Sequence, residues 1–543
     1  MGFMDVTFRV SPSGFRVLRN RETAGQVTVK RGPVVALLTV LLAIVVTSVT
    51  PRVRQYLTTQ KRESEIEGTS AAGELKDSLR IAGDPWSGYF AFRSEKFRSL
   101  LMASSIRYKY VTELDLGRRF EGLAKGEFDM VVATIDGYTA NGWKEDYPGV
   151  ITWVIDESYG GDAIVGCPKI KTLDDLDTLP ELPRIAFAEG YPSEHLLGAM
   201  VTQFKKKVKP CPVVDSKAAL AELKSGRVDA AVLWEPETTN SQKEIKGAKV
   251  LISTRDMVEF IVDVVIVSRK LVASKPALVE EVARDYFSTL KFFQRDPGRF
   301  EEAIAADAGV TIETAQKITQ GIRFVNLPDN AVRWFGVGGA DATEKLSRIV
   351  GETVEIQKAQ GRVIPKPLKD PFTIINRSIL ERTMRGEEGP LSKKFVVPTK
   401  TAEPTPKEVV TYRPASDQEW EQAEKVGTLD VAPIYFSSGS TELAKEDREF
   451  IDEVARKMTH YPRLRLKVVG HTSPGGDLAA SRALSEERAK VVADYLTQTH
   501  SVPKTRVLAL GKGQSTPLSR RPGESTRSFH ARCQRVEFIL VSL

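Results

Sequence analysis

The pattern of apolar and polar positions sets one segment near the N-terminus apart from the rest. Residues 34–49 read VVALLTVLLAIVVTSV, and residues 32–50 carry no charge. This run is close to the ~20 residues that a helix needs to cross a bilayer, so we predict one transmembrane helix over 32–50. A cleaved signal peptide is the alternative, but the run is long for one and no A-x-A-like site follows it.

Basic residues flank this run unevenly. Six Lys or Arg precede it, and four follow within about a dozen residues. This bias favours a cytoplasmic N-terminal tail over 1–31. The polar stretch 51–77 is then a stalk. We therefore expect a single-pass inner-membrane protein whose C-terminal bulk lies in the periplasm.

From 78 to 383, short apolar runs alternate with helical patterns. The runs predicted as buried strands are 79–82, 128–134, 184–188, 229–234 and 262–268. The stretches predicted as helices between them include 120–126, 195–204 and 217–223. This alternation predicts an α/β domain with mostly parallel sheets.

Four phrases of this region carry a resemblance to a known family. They are GLAKGEFDMVVAT (122–134), SYGGDAIVG (158–166), DSKAALAELKSGRVDAAVLWEP (215–236) and VEFIVDVVIVSRKLV (258–272). They resemble the type 2 periplasmic solute-binding proteins of ABC importers, in the nitrate, sulfonate and taurine group. The resemblance implies a two-lobed α/β fold with the ligand in the cleft. Lobe one is then 78–160 plus 262 onward, and lobe two is about 163–260.

Ligands of open α/β sheets bind at the carboxyl ends of strands and at helix N-termini. An aromatic wall with a few polar groups is what a small-molecule cleft requires. On these grounds the candidate ligand-binding residues are Asp84, Trp86, Tyr89, Thr134, Asp136, Ser158, Ser193, Trp234, Glu235 and Asp263. Because several of them are carboxylates, we expect a solute that carries an amine or another cationic group.

Other interpretations of single residues stay open at this point. Trp86 and Trp234 are equally well explained as core aromatics, and Ser193 as a helix N-cap. Cys167 and Cys211 form a disulfide outside the cytoplasm in one interpretation and are two buried thiols in the other.

The residue composition changes twice in the C-terminal third of the chain. Residues 384–427 contain five prolines among Lys, Glu and Thr, which is typical of an extended linker. From 428 to 543 the pattern predicts a compact α+β domain in the order βαβαββ, with its first strand over 429–436 and helices over 445–458 and 485–496.

This domain resembles the OmpA-like peptidoglycan-binding domain. The matching phrases are IYFSSGSTEL (434–443), GHT (470–472), LSEERAKVVADYL (484–496), GKG (511–513) and RVE (535–537). In that family an Asp after GHT and the Arg of LSxxRA hold the ammonium and the carboxylate of a diaminopimelate group. The resemblance implies a peptidoglycan-binding role for Thr472, Ser473, Asp477, Ser481, Arg488 and Arg535.

Three of the family's binding positions are altered in this chain. Ser473 stands where the family has Asp, while Ser481 and Cys533 each replace an Asn. Asp477, four residues beyond Ser473, is the candidate substitute for the missing charge. Loss of wall binding, or binding of another ligand, stays open.

Composition and charge narrow the function classes. The 543 residues are 41% apolar and 27% charged, which suits several globular units. The net charge of +7 is small for this length, so we expect no nucleic-acid partner. Three Cys and five His in no ligand pattern predict no metal site and no cofactor.

The expected function is a non-enzymatic, membrane-anchored solute-binding protein that is tethered to the cell wall. Its partners would be a small-molecule solute, peptidoglycan, the inner membrane, and a permease or another membrane complex. The alternative is a structural wall anchor or interaction platform whose receptor-like module no longer serves transport. An enzyme on the same fold is disfavoured, since His195 is the only histidine of the two-lobed region.

Overall fold

The structure, a computed structural model, describes most of the chain from residue 76 onward. The described residues are 9–11, 14–16, 76–257, 259–337, 345–359, 363–385, 411–432, 434, 436 and 440–543. The predicted transmembrane helix lies outside them, as do most of the predicted tail and stalk. Among the helices of the described residues, none is both long and apolar enough to cross a membrane.

The chain divides into two compact units, Met1–Glu74 and Leu75–Leu543. In the first unit the described residues form an antiparallel pair of strands, β1 (Arg9–Ser11) and β2 (Gly14–Arg16). Both predicted binding modules lie in the second unit.

Two separate stretches of chain build the first large sheet. The elements of the first stretch are β3 (Asp77–Gly83), α1 (Phe90–Arg93), α2 (Glu95–Ala103), β4 (Ile106–Thr112), α3 (Leu116–Lys125), β5 (Met130–Thr134), α4 (Ile135–Asn141) and β6 (Gly149–Ser158). Local chemistry sets the helix ends. The Asp115 side chain accepts a hydrogen bond from the Arg118 N–H at the start of α3, and Gly126 ends that helix with φ of 73°.

After β6 the chain crosses into a second sheet, which we call lobe two. Its elements are β7 (Asp162–Gly166), β8 (Arg184–Ala188), α5 (Pro192–Gln203), β9 (Lys209–Val213), α6 (Ser216–Lys224), β10 (Ala230–Trp234), α7 (Glu237–Glu244) and β11 (Lys249–Ser253). The strand order is β11-β7-β10-β8-β9.

The chain then returns to complete lobe one. The returning elements are β12 (Val262–Ser268), α8 (Arg269–Ser274), α9 (Pro276–Gln294), α10 (Pro297–Ala308), α11 (Ile312–Gln320), β13 (Ile322–Phe324), α12 (Lys345–Ala359) and α13 (Ser378–Arg385). The strand order is β13-β6-β12-β5-β3-β4. Two α/β lobes joined by crossing segments are what the family resemblance implies.

Both sheets are mixed, so the expectation of mostly parallel pairing is wrong. In lobe one, β3 is parallel to β4 and β5, whereas β12 is antiparallel to β5 and β6. In lobe two, β8 is parallel to β9 and β10, whereas β7 is antiparallel to β10 and β11. The reason is connectivity, because β7 and β12 arrive directly from the other lobe without the crossover that parallel pairing requires.

The C-terminal domain is a four-stranded sheet covered by helices. Its elements are α14 (Asp417–Gln422), β14 (Glu424–Thr428), α15 (Lys445–Thr459), β15 (Arg465–His471), α16 (Leu478–Thr499), β16 (Val507–Gly513), α17 (Thr526–Cys533) and β17 (Val536–Ser542). The strand order is β14-β17-β15-β16, with β15 and β16 parallel and the other pairs antiparallel.

Three expectations for this domain need correction. The first strand of the described residues is β14, and the described part of the predicted strand 429–436, residues 429–432, 434 and 436, forms no strand. Elements α14 and β14 also lie inside the predicted linker 384–427, and the predicted order βαβαββ lacks α17. After β14, the Leu429 N–H still donates to the Phe538 carbonyl oxygen of β17, and Leu429 and Ile434 are buried.

The three cysteines are free thiols. Cys167 follows β7 and Cys211 lies in β9, with β10 and β8 between those strands. Three strand spacings put the two residues about 14 Å apart, beyond the Cα separation of ~7 Å that a disulfide allows. The disulfide interpretation is therefore wrong, and both cysteines are partly exposed rather than buried.

Candidate functional site

The candidate ligand-binding residues gather where the strands of lobe one end and the chain crosses between the lobes. Asp84 follows β3, Thr134 ends β5, and Ser158 ends β6. Strand register places Asp263 opposite Thr134 on one side and opposite Asp156 on the other. Residues far apart in sequence thus meet at one junction.

Two buried carboxylates face each other at this junction. Asp156 is fully buried, and Asp263 accepts a hydrogen bond from the Tyr89 hydroxyl. Burial raises the pKa of Asp156 well above its ordinary value, and the charge of Asp263 raises it further. Burial likewise raises the pKa of Asp263 to about 7, against the opposing effect of the Tyr89 hydrogen bond. The pair therefore shares a proton near neutral pH instead of carrying two charges.

Lobe one itself encloses Asp156, which the sequence analysis missed. A Cβ placed on Gly88 would lie 2.3 Å from Asp156 Oδ2 and 2.5 Å from Trp86 Nε1, so this approach requires glycine. Trp86 packs against the apolar core of lobe one, which favours its interpretation as a core aromatic. The signal for Asp156 was available, because it directly follows the uncharged run 149–155, GVITWVI.

Asp84 is engaged by an arginine that the sequence analysis also missed. The Arg119 side chain is fully buried, and its Nη2 donates to Asp84 Oδ2 at 2.8 Å. Its other N–H groups donate to the carbonyl oxygens of Glu113 and Val132. Asp84 additionally accepts a hydrogen bond from the Trp86 N–H. This carboxylate therefore balances a buried cation of its own lobe.

The candidate hydroxyls also bond within the protein. Thr134 caps α4 by accepting from the Gly137 N–H, and Ser158 donates to Asp162 Oδ2 at 2.6 Å. Ser193 Oγ bonds both the N–H and the carbonyl of Ala188. The N-cap of α5 is Tyr191, so the interpretation of Ser193 as an N-cap is wrong.

Asp136 lies in the first turn of α4 and is buried. The side-chain amide of Gln357 donates to the carbonyl oxygen of Asp136 at 2.9 Å, which ties α12 to this turn. The charge of Asp136 raises the pKa of nearby Asp162, after burial as the larger cause, to about 7. These carboxylates thus influence one another inside the junction.

An aromatic pair of lobe two reaches lobe one through one hydroxyl group. The rings of Trp234 and Tyr191 stack with centroids 5.6 Å apart. The Tyr191 hydroxyl donates to the carbonyl oxygen of Leu114 in lobe one at 3.4 Å. Of the two predicted tryptophans, Trp234 therefore lies at the interlobe surface.

A pocket of about 350 Å³ lies between the lobes beside the hinge. The residues that line it are Gly160, Glu235, Thr239, Gln242, Lys243, Arg255, Lys317, Gln320 and Gly321. Lobe one supplies Lys317, and lobe two supplies Lys243 and Arg255. Of the lining residues, only Glu235 belongs to the sequence-predicted set.

The pocket is electropositive. The two lysine ammonium groups lie 3.6 and 3.7 Å from one exposed carboxylate, that of Glu313, and the Arg255 guanidinium lies over the Tyr159 ring at 5.5 Å. Glu235 is hydrogen-bonded to Thr239, and burial raises its pKa. Three cations against one lining carboxylate suit an anionic group. The lining of this pocket favours an anionic group over the cationic one expected from the sequence, and the carboxylates behind that expectation, such as Asp84 and Asp263, bond within the fold.

The predicted peptidoglycan-binding residues cluster after β15 and at the start of α16. Ser473 is half-buried with the Gln534 amide 3.5 Å away, and Thr472 is buried. Asp477 is exposed and caps α16 by accepting from the Ala480 N–H. Ser481 lies one turn further on the same helix.

Arg488 and Arg535 are both engaged within the domain. Arg488 is buried, donates to the Ser440 carbonyl oxygen at 3.1 Å and lies over the Phe436 ring. Arg535 donates to Glu537 Oε1 at 2.7 Å.

Residues 435–530 match the model of the OmpA family. The peptidoglycan-binding protein ArfA of Mycobacterium tuberculosis is 29% identical over 115 residues, which are 21% of this chain and 34% of ArfA. The chain thus spans about a third of the length of this curated relative.

Two solved structures resemble the lobes in fold. The periplasmic aliphatic sulphonate binding protein SsuA from Escherichia coli aligns with 56% of this chain and 99% of its own, at 17% identity and a TM-score of 0.46. The desulfurization enzyme DSZB aligns with 58% of this chain and 100% of its own, at 14% identity and a TM-score of 0.41.

Proposed function

We propose that this chain is a membrane-anchored receptor of the cell envelope that holds a small solute between its lobes and contacts the cell wall through its OmpA-like domain. The observation that carries the receptor role is the interlobe pocket, which both lobes line. A ligand that contacts both lobes stabilises their closed arrangement, as in hinge closure. The anchor is the uncharged run 32–50, with the bulk of the chain in the periplasm.

The solute carries an anionic group. Lys317, Lys243 and Arg255 converge on the pocket, and the guanidinium offers the paired donors that carboxylate, sulfonate and phosphate oxygens accept. Gln242 and Gln320 add neutral donors and acceptors at the rim. The candidate carboxylates Asp84 and Asp263 then support the fold around the pocket and do not contact the solute.

A thermal-shift screen of the full chain tests this role. We expect small carboxylates, sulfonates or phosphates to raise the unfolding temperature, because ligands that bind only the folded state stabilise it. Arg255→Glu should abolish the rise. Lys291→Glu, an exposed lysine outside the pocket lining, serves as the matched control. A rise with cationic solutes only would contradict the proposal.

Wall binding is the second part of the proposed function. It is supported by the OmpA family match over 435–530 and by the similarity to ArfA, which is named as a peptidoglycan-binding protein. The proposed ligand is the diaminopimelate stem. Because Ser473 stands at the family's Asp position, the wild-type protein lacks the ion pair with the ammonium group of that ligand.

Cosedimentation of the full chain with purified peptidoglycan tests this part. Ser473→Asp should strengthen binding by about tenfold, the effect of restoring one charge-assisted hydrogen bond to an ammonium group. Glu486→Gln, an exposed position on α16, is a control that should leave binding unchanged. If neither the wild-type protein nor Ser473→Asp sediments with peptidoglycan, the proposal of wall binding is contradicted.

The proposal includes no enzymatic step. The observation that supports this is the His195 ring, which is buried and stacks on Phe260 at 4.7 Å. The proposed partner of the receptor is a permease or another membrane complex. Chromogenic turnover assays with sulfonate and ester substrates should show no activity.

A second function is an interaction platform that has lost solute binding. The observation that favours it is the internal bonding of Asp84, Ser158, Ser193 and Asp263, which leaves those side chains engaged without any solute. In that case the thermal-shift screen gives no rise with any solute, while affinity capture on the intact envelope still recovers a membrane partner.

A further inference from the structure

The OmpA-like domain lies against lobe two of its own chain through a surface that includes buried charges. The centre of this surface is Asp174 in the turn that precedes β8. Its two oxygens accept from Lys206 of lobe two and from Lys425 and Thr428 of β14, at 2.6–2.7 Å. Lys206 is itself only 4% exposed. One carboxylate thus joins two domains.

The electrostatics of Asp174 show how tightly it is held. Burial on its own raises the pKa of this carboxyl, but hydrogen bonds from Lys206, Lys425 and Thr428 outweigh burial and hold its pKa well below the ordinary value. Two of those three groups belong to the OmpA-like domain. Lys206 also pairs with Asp177 of lobe two, so the docked domain adds a second cation, Lys425, to two carboxylates of lobe two.

The two domains are also sterically complementary at this surface. A Cβ placed on Gly427 of β14 would lie 3.0 Å from Phe204 Cδ1 and 3.2 Å from Leu173 Cβ, both in lobe two. Buried apolar residues of α5 and of the OmpA-like domain belong to one continuous cluster, in which the Phe204 and Tyr461 rings meet edge to face at 5.8 Å. The approach depends on a glycine in β14.

Hydrogen bonds fix the orientation of the two bodies. The Tyr461 hydroxyl, which is fully buried, donates to the Gln203 side chain. The Asp430 N–H donates to the Gln203 carbonyl oxygen at 3.0 Å. At the rim, Lys205 pairs with Asp430 and Lys249 pairs with Glu424, both at 3.2 Å. These are directional contacts from separate parts of each domain.

The docked domain also reaches the hinge. Tyr159 lies between β6 and β7, where the chain crosses between the lobes. Arg463 of the OmpA-like domain lies over the Tyr159 ring at 4.7 Å, and Arg323 of lobe one lies over it at 3.9 Å. The OmpA-like domain therefore contacts the segment that must bend when the lobes move.

We propose that the OmpA-like domain carries a second interaction surface, formed by β14 and the segment 457–463, whose partner is lobe two of the same chain, so that the two move as one rigid body. The docked surface lies beside the start of β15, and Ser473 follows the end of that strand. The seven residues of β15 separate the two by about 23 Å. Docking thus leaves the predicted wall-binding loop open.

One consequence rests on the proposed receptor function. If wall contact holds the OmpA-like domain, it also holds lobe two, and lobe one becomes the moving part when solute binds. If wall contact also shifts the balance between open and closed lobes, linkage makes the effect reciprocal, and solute binding changes the wall affinity by the same factor. The docking itself requires neither ligand, so its test is independent of both.

Zero-length carbodiimide cross-linking of the full chain, followed by mass spectrometry, tests the docking. The reagent joins amines to carboxylates that are in direct contact. We expect links between Lys205 and Asp430 and between Lys249 and Glu424. The exposed pair Lys224–Glu244, 2.8 Å apart within lobe two, is the internal standard for reagent efficiency. Mixing ¹⁵N-labelled and unlabelled chains separates links within a chain from links between chains.

Gly427→Leu should lower the yield of both interdomain links by at least about tenfold relative to the standard, because a side chain there overlaps Phe204 and Leu173. Gly298→Leu is the matched control, since a Cβ there meets only an ordinary contact at 3.6 Å. Lys425→Gln with Thr428→Val removes the polar contacts without adding bulk, and should lower the yield as well. Links that persist in both variants, links absent from wild type, or links found only between chains would each overturn the proposal.

Discussion

At the scale of single residues, the main finding is that charged side chains selected as ligand contacts are components of the fold. Asp84 is the clearest case, because it balances Arg119, whose side chain is fully buried. A buried ion pair resists the loss of one partner far more than an exposed pair does, since the remaining charge is left unpaired in a low dielectric.

Replacing Arg119 therefore tests the role of Asp84. Arg119→Met should lower the free energy of unfolding by ~3–5 kcal/mol, measured by urea denaturation. Arg118→Met is the matched control on the next residue, where the side chain is 44% exposed, and it should leave stability nearly unchanged. Normal stability of Arg119→Met together with lost solute binding would show that this pair serves the ligand instead.

The carboxylate pair at the lobe junction makes a pH-dependent contribution. The pKa of Asp263 is about 7 in the folded protein, above its ordinary value of ~3.9 in an unfolded chain. Between these values Asp263 binds more protons in the folded state than in the unfolded chain, so its contribution to stability falls as pH rises from about 4 to about 7.

Asp263→Asn should reduce this fall, because asparagine cannot ionise and still accepts the Tyr89 hydrogen bond. Unfolding free energies measured across that pH range should show a shallower slope, by up to about 1.4 kcal/mol per pH unit for one group. Asp146→Asn, at an exposed position, should retain the wild-type slope. An unchanged slope in Asp263→Asn would mean that Asp263 is ionised throughout.

Sequence reasoning succeeded with local chemistry and failed with distant partners. It placed Asp263 and Ser158 at the crossing of the lobes, because strand ends are visible in the apolar pattern. It missed Arg119, 35 positions from Asp84, since only the folded sheet brings α3 to the end of β3. The basic pocket was equally hidden, because its three cations come from three separate elements of two lobes.

At the scale of elements, buried strands were the most predictable part of the chain. Strands β8 and β12 have the bounds that the apolar runs predict. Pairing direction was not predictable in the same way, since it depends on where the chain arrives from and not on the residues of the strand. The strand prediction for 429–436 failed for a related reason, because buried residues outside a strand show the same apolar pattern as a buried strand.

Helix α16 allows a capping role to be separated from a binding role. Asp477→Ala should lower stability by ~1 kcal/mol through loss of the N-cap, whereas Asp477→Ser keeps a capping oxygen and should preserve it. If Asp477 also supplies the charge missing at Ser473, both variants lose peptidoglycan binding in the cosedimentation assay. Retained binding by Asp477→Ser would exclude Asp477 from the wall contact.

At the scale of the whole molecule, the sequence predicted two modules joined by an extended linker, whereas in the structure the OmpA-like domain lies against lobe two. The linker 384–427 was predicted to separate receptor and wall modules, yet α14 and β14 lie within it, and β14 contacts lobe two through Asp174. Such a contact between distant parts of the chain leaves no local trace in the sequence. In the proposed docking, lobe two and the OmpA-like domain therefore move as one unit.

The central claim is that one anionic solute contacts both lobes at once. Isothermal titration of the full chain with a solute identified by the thermal-shift screen tests it most directly, using Lys317→Gln in lobe one and Lys243→Gln in lobe two. Each variant removes one charge-assisted contact, so each should weaken the affinity by about tenfold or more. Weakening by only one of the two variants, or by neither, would contradict a solute held between the lobes.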